Sequence, residues 1–131
     1  VIALDTNVLV RFLVEDDPRQ SAAAAALVER AIQTDDTLYV SAIVLCETVW
    51  VLTAGYRIPR LDIVKTLQDL LRAKHLTLDY PDRLARAVDA FATGRGDFAE
   101  YVIREEAIAA GCTNVVTFDR DLLREEGFAR P

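Results

Sequence analysis

Four carboxylates stand where their type and setting could do chemistry: Asp5, Glu47, Asp97 and Asp119. Asp5 ends the apolar run 1–4, and Asp119 sits just past the strand-like segment Asn114-Val115-Val116-Thr117. Asp97 comes directly after Gly94-Arg95-Gly96 and leads a helical stretch. Glu100, three residues on, falls on the same side of that helix. Glu47 interrupts the nearly all-apolar stretch 42–52. Each has a structural reading beside a chemical one. Asp at 5, 97 or 119 suits a helix cap. A helix apolar all round is expected to be buried, so Glu47 would need an Arg partner, a metal, or a hydrated acidic pocket. Carboxylates brought together repel one another, and three or four are tolerable chiefly when divalent cations neutralise them. Hard oxygen donors without Cys or His suit Mg²⁺ or Mn²⁺. The chemistry of such sites is hydrolysis of phosphodiesters.

Composition narrows the alternatives. His75 is the single histidine, which argues against common zinc sites and against Ser-His-Asp or Cys-His nucleophiles. Cys46 and Cys112, far apart in sequence and in apolar surroundings, are expected to be buried free thiols. Lys plus Arg is 15 and Asp plus Glu is 21, for a net charge of −6. Non-specific coating of nucleic acid rests on many Lys/Arg–phosphate contacts, and an acidic chain is poorly suited to it. An enzyme whose acids hold metal is a different case. No apolar run approaches the roughly 20 residues of a membrane span, and the chain opens on an apolar strand with no basic leader, as expected of a protein of the reducing cytosol. The 131 residues, 52% of them hydrophobic, are expected to form one domain over 1–131.

The elements that must position the acids alternate. Short strands are expected at 1–4, 37–40, 75–78 and 114–117, with a small last strand at Phe128. The first, a continuous apolar run, is expected to be buried on both faces. Helices are expected as a turn or two from 8 to 14 after capping residues 5–7, from Pro18 to about 32, over 42–54, 59–73, 81–93 and 97–110, with a short helical turn at 119–126. Strand–helix alternation implies a parallel α/β sheet. Asp5 and Asp119 then share the carboxyl edge of the sheet, where α/β proteins bind ligands.

The motifs also resemble a known family. Ile2-Ala3-Leu4-Asp5-Thr6-Asn7-Val8-Leu9-Val10 resembles the opening of PIN-domain ribonucleases, in particular VapC-type toxins of type II toxin–antitoxin pairs. Residues 41–47 resemble the second acidic motif. Gly96-Asp97-Phe98-Ala99-Glu100-Tyr101 resembles the third, and Val116-Thr117-Phe118-Asp119-Arg120-Asp121-Leu122 the fourth. The likeness runs in order along almost the whole chain. It implies a three-layer α/β/α fold around a central parallel sheet of four or five strands. It implies that Asp5, Glu47, Asp97 and Asp119 are the catalytic, metal-holding quartet, with Thr6, Asn7 and Thr117 as accessory polar residues. Many relatives carry Asp where this chain has Glu100, which is kept as a further accessory group. The implied activity is Mg²⁺-dependent (or Mn²⁺-dependent) cleavage of RNA, leaving a 5′-phosphate and a 3′-hydroxyl. The implied partners are a cognate antitoxin and a second copy of the chain.

Arg11, Arg95, Arg104 and Arg120 lie close in sequence to the acidic motifs, and Arg11, Arg95 and Arg120 are the expected substrate contacts. Trp50, Val51, Tyr56 and Leu61 are candidate dimer residues, although Trp50 is more readily a core residue. Two other readings remain. One is a catalytically silent module of the same fold that binds RNA or protein. The other is a hydrolase using Asp5 as nucleophile, which usually carries an acid two residues later, where this chain has Asn7.

Overall fold

The computed structural model describes all residues from 1 to 131. Strands and helices alternate as the sequence implies, and the chain divides into two compact units, Val1–Pro81 and Asp82–Pro131, taken here in turn.

The first unit runs β1 (Ile2–Ala3), α1 (Thr6–Leu13), α2 (Pro18–Gln33), β2 (Leu38–Val40), α3 (Ala42–Trp50), α4 (Arg60–Arg72) and β3 (Leu76–Leu78). The strands pair in parallel in the order β1-β2-β3, with Ile2 opposite Leu38 and Leu38 opposite Leu76. Helix starts are set by short polar side chains. Asp5 accepts from Val8 N–H at 3.1 Å, Asp17 from Gln20 N–H at 3.0 Å, and Ser41 from Val44 N–H at 3.2 Å. Pro18 takes the first position of α2, where its missing N–H costs nothing. Leu9, Val40, Leu45, Ile63 and Leu67 fill the core between the sheet and its helices. Each such side chain is worth roughly 1.5–3 kcal/mol of burial.

The second unit runs through α5 (Pro81–Thr93), α6 (Phe98–Ala109), β4 (Val115–Val116) and β5 (Phe128–Ala129), with a 3₁₀ turn at Leu122–Arg124. β4 and β5 are parallel. Leu84, Val88, Phe91, Phe98 and Tyr101 form its core, and Phe91 meets Phe98 edge to face with centroids 5.9 Å apart. Gly111, at φ +88°, supplies the left-handed residue that ends α6.

Several sequence expectations need correction. β1 is not buried on both faces: it is the edge strand of its sheet, and Ile2 and Ala3, whose side chains point to opposite faces, are both exposed. Trp50 is not a core residue. It is 70% exposed, as is Ile43 at 73%, because α3 buries Ala42, Leu45, Thr48 and Val49 and turns its other apolar face outward. Cys112 is exposed just past the end of α6, and Cys46 is half-buried; both are free thiols. The helix expected to reach residue 54 closes instead with a π turn at Val51–Gly55. No helix is long and apolar enough to cross a membrane.

Candidate functional site

In the first unit, Asp5, Thr6, Asn7 and Glu47 come together. They line an open pocket of about 610 Å³ with Val44, Trp50 and Val51. Asp5 is placed by the sheet: Leu4 N–H donates to the Tyr39 carbonyl at 2.9 Å, and the chain then turns into α1. Its Oδ1 caps the helix, which leaves Oδ2 open to the pocket. Glu47 comes from the middle of α3, and its Oε1 accepts from the Thr6 hydroxyl at 2.9 Å. The expectation that Glu47 is buried is therefore corrected. It lies exposed on the outward side of α3, in the open pocket it shares with Asp5, and its side-chain partner is Thr6 rather than an Arg.

The buried carboxylate of the chain is Glu105 on α6, at 6% exposure. It pairs with Arg86 Nε at 2.6 Å and lies 3.8 Å from Arg104 Nε. A charge so placed must be paired, and it ties α5 to α6. Its sequence setting, among other charged residues of a mixed helix, gave no sign of burial.

In the second unit, Asp97 caps α6 from an extended backbone. Glu100 reaches back to accept from Asp97 N–H at 2.8 Å, one arm of a capping box. Burial pushes the Glu100 carboxyl above its usual range. The nearby charges of Asp97, Asp119 and Glu125 act in the same direction, and the bond from the Asp97 N–H partly offsets them. Asp97, Asp119 and Glu125 therefore each lie within electrostatic reach of Glu100. Asp119 heads a tight turn. Its Oδ1 accepts from Asp121 N–H at 2.8 Å and Leu122 N–H at 3.2 Å, and its own N–H donates to the Thr117 hydroxyl at 3.1 Å. Thr117 thus acts on Asp119 through the backbone.

The arginines divide. Arg11 is bound on three sides: Nε donates to Gln20 at 2.7 Å, and Nη1 to Asp16 at 3.1 Å and to the Tyr56 hydroxyl at 3.0 Å. Arg104 lies over the Tyr101 and Phe128 rings and donates to the Glu126 carbonyl. Both are committed to packing. Arg95 and Arg120 are exposed, with Arg95 only 3.8 Å from Asp121.

By kind, the donors fit a hard divalent cation: carboxylates, hydroxyls and one amide, with no sulfur or imidazole. Asp5 Oδ2, Glu47 Oε2 and Asp119 Oδ2 accept no hydrogen bond from the protein. No three carboxylates are gathered as a ligand set. Two residues of this neighbourhood were missed from the sequence, Tyr101 and Glu125, which hold the loop before Asp97. The signal was present in the Gly94-x-Gly96 spacing, which marks close backbone approach as well as a chain break.

Comparison with known proteins gives two findings. The family model of the PIN domain matches residues 2–126, a span that includes all four acidic motifs. The chain is also similar to a VapC ribonuclease of Aquifex aeolicus (strain VF5), with 26% identity over 117 residues, covering 89% of this chain and 86% of that protein.

Proposed function

This chain belongs to the PIN domain family, with its three-layer α/β/α fold, and from that premise we propose that it is a metal-dependent endoribonuclease toxin of the VapC type, a single PIN domain over 1–131. The observation that carries the reading is the pairing of Asp5 and Glu47 from separate elements in one open pocket, with a free carboxylate oxygen on each. The similarity to a VapC ribonuclease supports the choice of RNA as substrate.

In this reading Asp5, Glu47, Asp97 and Asp119 hold Mg²⁺ or Mn²⁺. When bound, the ion supplies charge neutralisation, an acidified water and a polarised phosphoryl oxygen. The chain's own residues do the rest. Thr6 fixes the rotamer of Glu47 through its hydroxyl, and Thr117 fixes the turn that presents Asp119. Asn7, on the wall of the pocket, and Glu100, beside Asp97, are accessory polar groups. Arg95 and Arg120 are the cations available for RNA phosphates, whereas Arg11 serves chiefly to hold α1 against the start of α2. The proposed partners are a cognate antitoxin that inserts a cationic side chain among the acids, and a second copy of the chain. Trp50 and Leu61, 70% and 72% exposed, suit that contact, and Val51 and Tyr56 are the further candidates. The proposed setting is the cytoplasm.

The test is cleavage of RNA by the purified protein with Mg²⁺ and with chelator. Wild type is expected to cut only with the ion. Asp5→Asn is expected to abolish cutting while the circular dichroism spectrum stays unchanged. No cleavage with or without the ion would leave the silent binding module as the better reading, and cleavage that survives chelator, or full activity in Asp5→Asn, would overturn the metal-dependent mechanism.

A further inference from the structure

The segment before Asp97 has no strand ladder to support it, yet three consecutive backbone N–H groups there are taken up by side chains. Arg95 N–H makes a long 3.4 Å contact with Glu125 Oε2. Gly96 N–H donates to Tyr101 Oη at 2.8 Å, and Asp97 N–H to Glu100 Oε2 at 2.8 Å. The Tyr101 hydroxyl itself donates to Glu125, both of whose oxygens lie 2.8 Å away. The Tyr101 ring is fully buried. A phenylalanine would pack as well, so the hydroxyl is there for its bonds, since a buried polar group left unpaired is costly.

The glycines say the same thing independently. A Cβ on Gly94 would fall on Tyr101 Oη and come within 2.5 Å of Glu125 Oε1 and 2.8 Å of the Ala90 carbonyl. One on Gly96 would meet Leu122 Cδ2 at 2.6 Å, Glu100 Oε2 at 3.0 Å and Tyr101 Cζ at 3.1 Å. The glycines with positive φ are Gly111 and Gly127, so freedom of φ is not what Gly94 and Gly96 provide. They let the backbone press against the Tyr101–Glu125 pair.

We propose that Tyr101 and Glu125 are positioning residues for Asp97: their hydrogen-bonded pair templates the Gly94–Gly96 backbone and thereby aims the carboxylate at the start of α6. This rests on the reading of Asp97 as a metal-holding acid. Both would act on Asp97 through the backbone that precedes it. With both oxygens of Glu125 directed at Tyr101, its task is to hold the hydroxyl that holds the loop.

The test uses the full chain and Mn²⁺ alone as probe. Tyr101→Phe is expected to speed amide exchange at Gly96 and Asp97. It is expected to weaken Mn²⁺ binding by calorimetry roughly 10–100-fold, the usual cost of losing a group that orients a ligand. On RNA, kcat is expected to fall while KM stays unchanged. Glu125→Ala should behave like Tyr101→Phe, and Glu125→Gln, which keeps an acceptor for the hydroxyl, should retain most of the Mn²⁺ affinity. If Tyr101→Phe fails to fold, the Glu125 pair carries the comparison. Wild-type Mn²⁺ affinity and kcat in a variant with loosened amides would overturn the proposal and leave a structural clip. If wild type itself binds no Mn²⁺, the reading of the site fails and takes this proposal with it, an outcome distinct from tight binding in both wild type and variant.

Discussion

Asp5 and Asp97 both cap a helix from extended backbone, at φ −89°, ψ 173° and φ −76°, ψ 155°, yet different parts of their units hold them. Asp5 leaves a strand. Its predecessor Leu4 is already bonded into the sheet, and its own Oδ1 closes the cap on Val8. Asp97 leaves a loop, and what fixes it is a set of side chains on α6 and beyond: Glu100, Tyr101 and Glu125. The lesson is about robustness. An acid that follows a strand inherits its place from backbone hydrogen bonds that no side-chain substitution removes. An acid that follows a loop depends on particular side chains and on glycines that let the loop approach them.

The sharpest way to break that contrast is Gly94→Ala. The added methyl meets the Ala90 carbonyl as well as Tyr101 and Glu125, and a backbone atom cannot swing aside. A loss of about 1–3 kcal/mol is expected, the range for overpacking. Asn7→Ala, at an exposed position on the other acid's helix, is expected to stay within about 0.5 kcal/mol. Thermal unfolding of the two variants measures the difference, and equal midpoints would erase it.

A smaller effect is expected from Thr6→Val. It removes the one side-chain bond that holds Glu47 and should cost about 0.5–1.5 kcal/mol at most. Cleavage is expected to fall by less than in Tyr101→Phe, because Asp5 keeps its backbone placement. A larger loss in Thr6→Val than in Tyr101→Phe would reverse the ranking of the two regions.

Much of this was legible in the sequence, for physical reasons that differ by element. Strand and helix bounds follow from caps and breakers that act locally. Asp17-Pro18, Ser41, Pro59 and Gly111 each fall at a helix end, as their side chains and backbone preferences dictate. The grouping of Asp5 with Glu47 was implied by the family resemblance, since the strand-end position of Asp5 by itself grouped it only with Asp119. What local pattern could not supply was the direction in which an apolar helix faces. The α3 sequence is apolar apart from Glu47 and Thr48, and with Glu47 taken as buried its exposed face is lost: Ile43, Glu47 and Trp50 stand at helical spacing on that face, while Leu45 is buried. The same gap misplaced the buried carboxylate. Hydrophobic neighbours pointed to Glu47, but burial at Glu105 is decided by Arg86, nineteen residues away on another helix. The role of Tyr101 was not legible locally because its distinguishing partner, Glu125, lies 24 residues on.

The smallest expected effect separates the ionic supports of the two units. In the first, the Tyr56 hydroxyl donates to Asp16 Oδ2 at 2.6 Å and Arg11 donates to Oδ1 at 3.1 Å. The Tyr56 bond, followed by the Arg11 charge, holds the Asp16 carboxyl below its usual value of 3.8. A group whose folded-state pKa is depressed contributes stability above its unfolded pKa and loses it as pH falls through the folded one. Asp16→Asn should therefore be slightly less stable than wild type near neutrality, and the gap should close as the medium is acidified below the usual carboxylate pKa. Because the network is solvent-exposed, added salt should also shrink the gap. The Arg86–Glu105 pair of the second unit has its carboxylate at 7% side-chain exposure, so the deficit of Glu105→Gln should respond less to salt. Melting curves across pH and salt read both. If the Asp16→Asn curve runs parallel to wild type throughout, Arg11 is held by Gln20 and by packing, and the charge of Asp16 contributes nothing to the placement of α1.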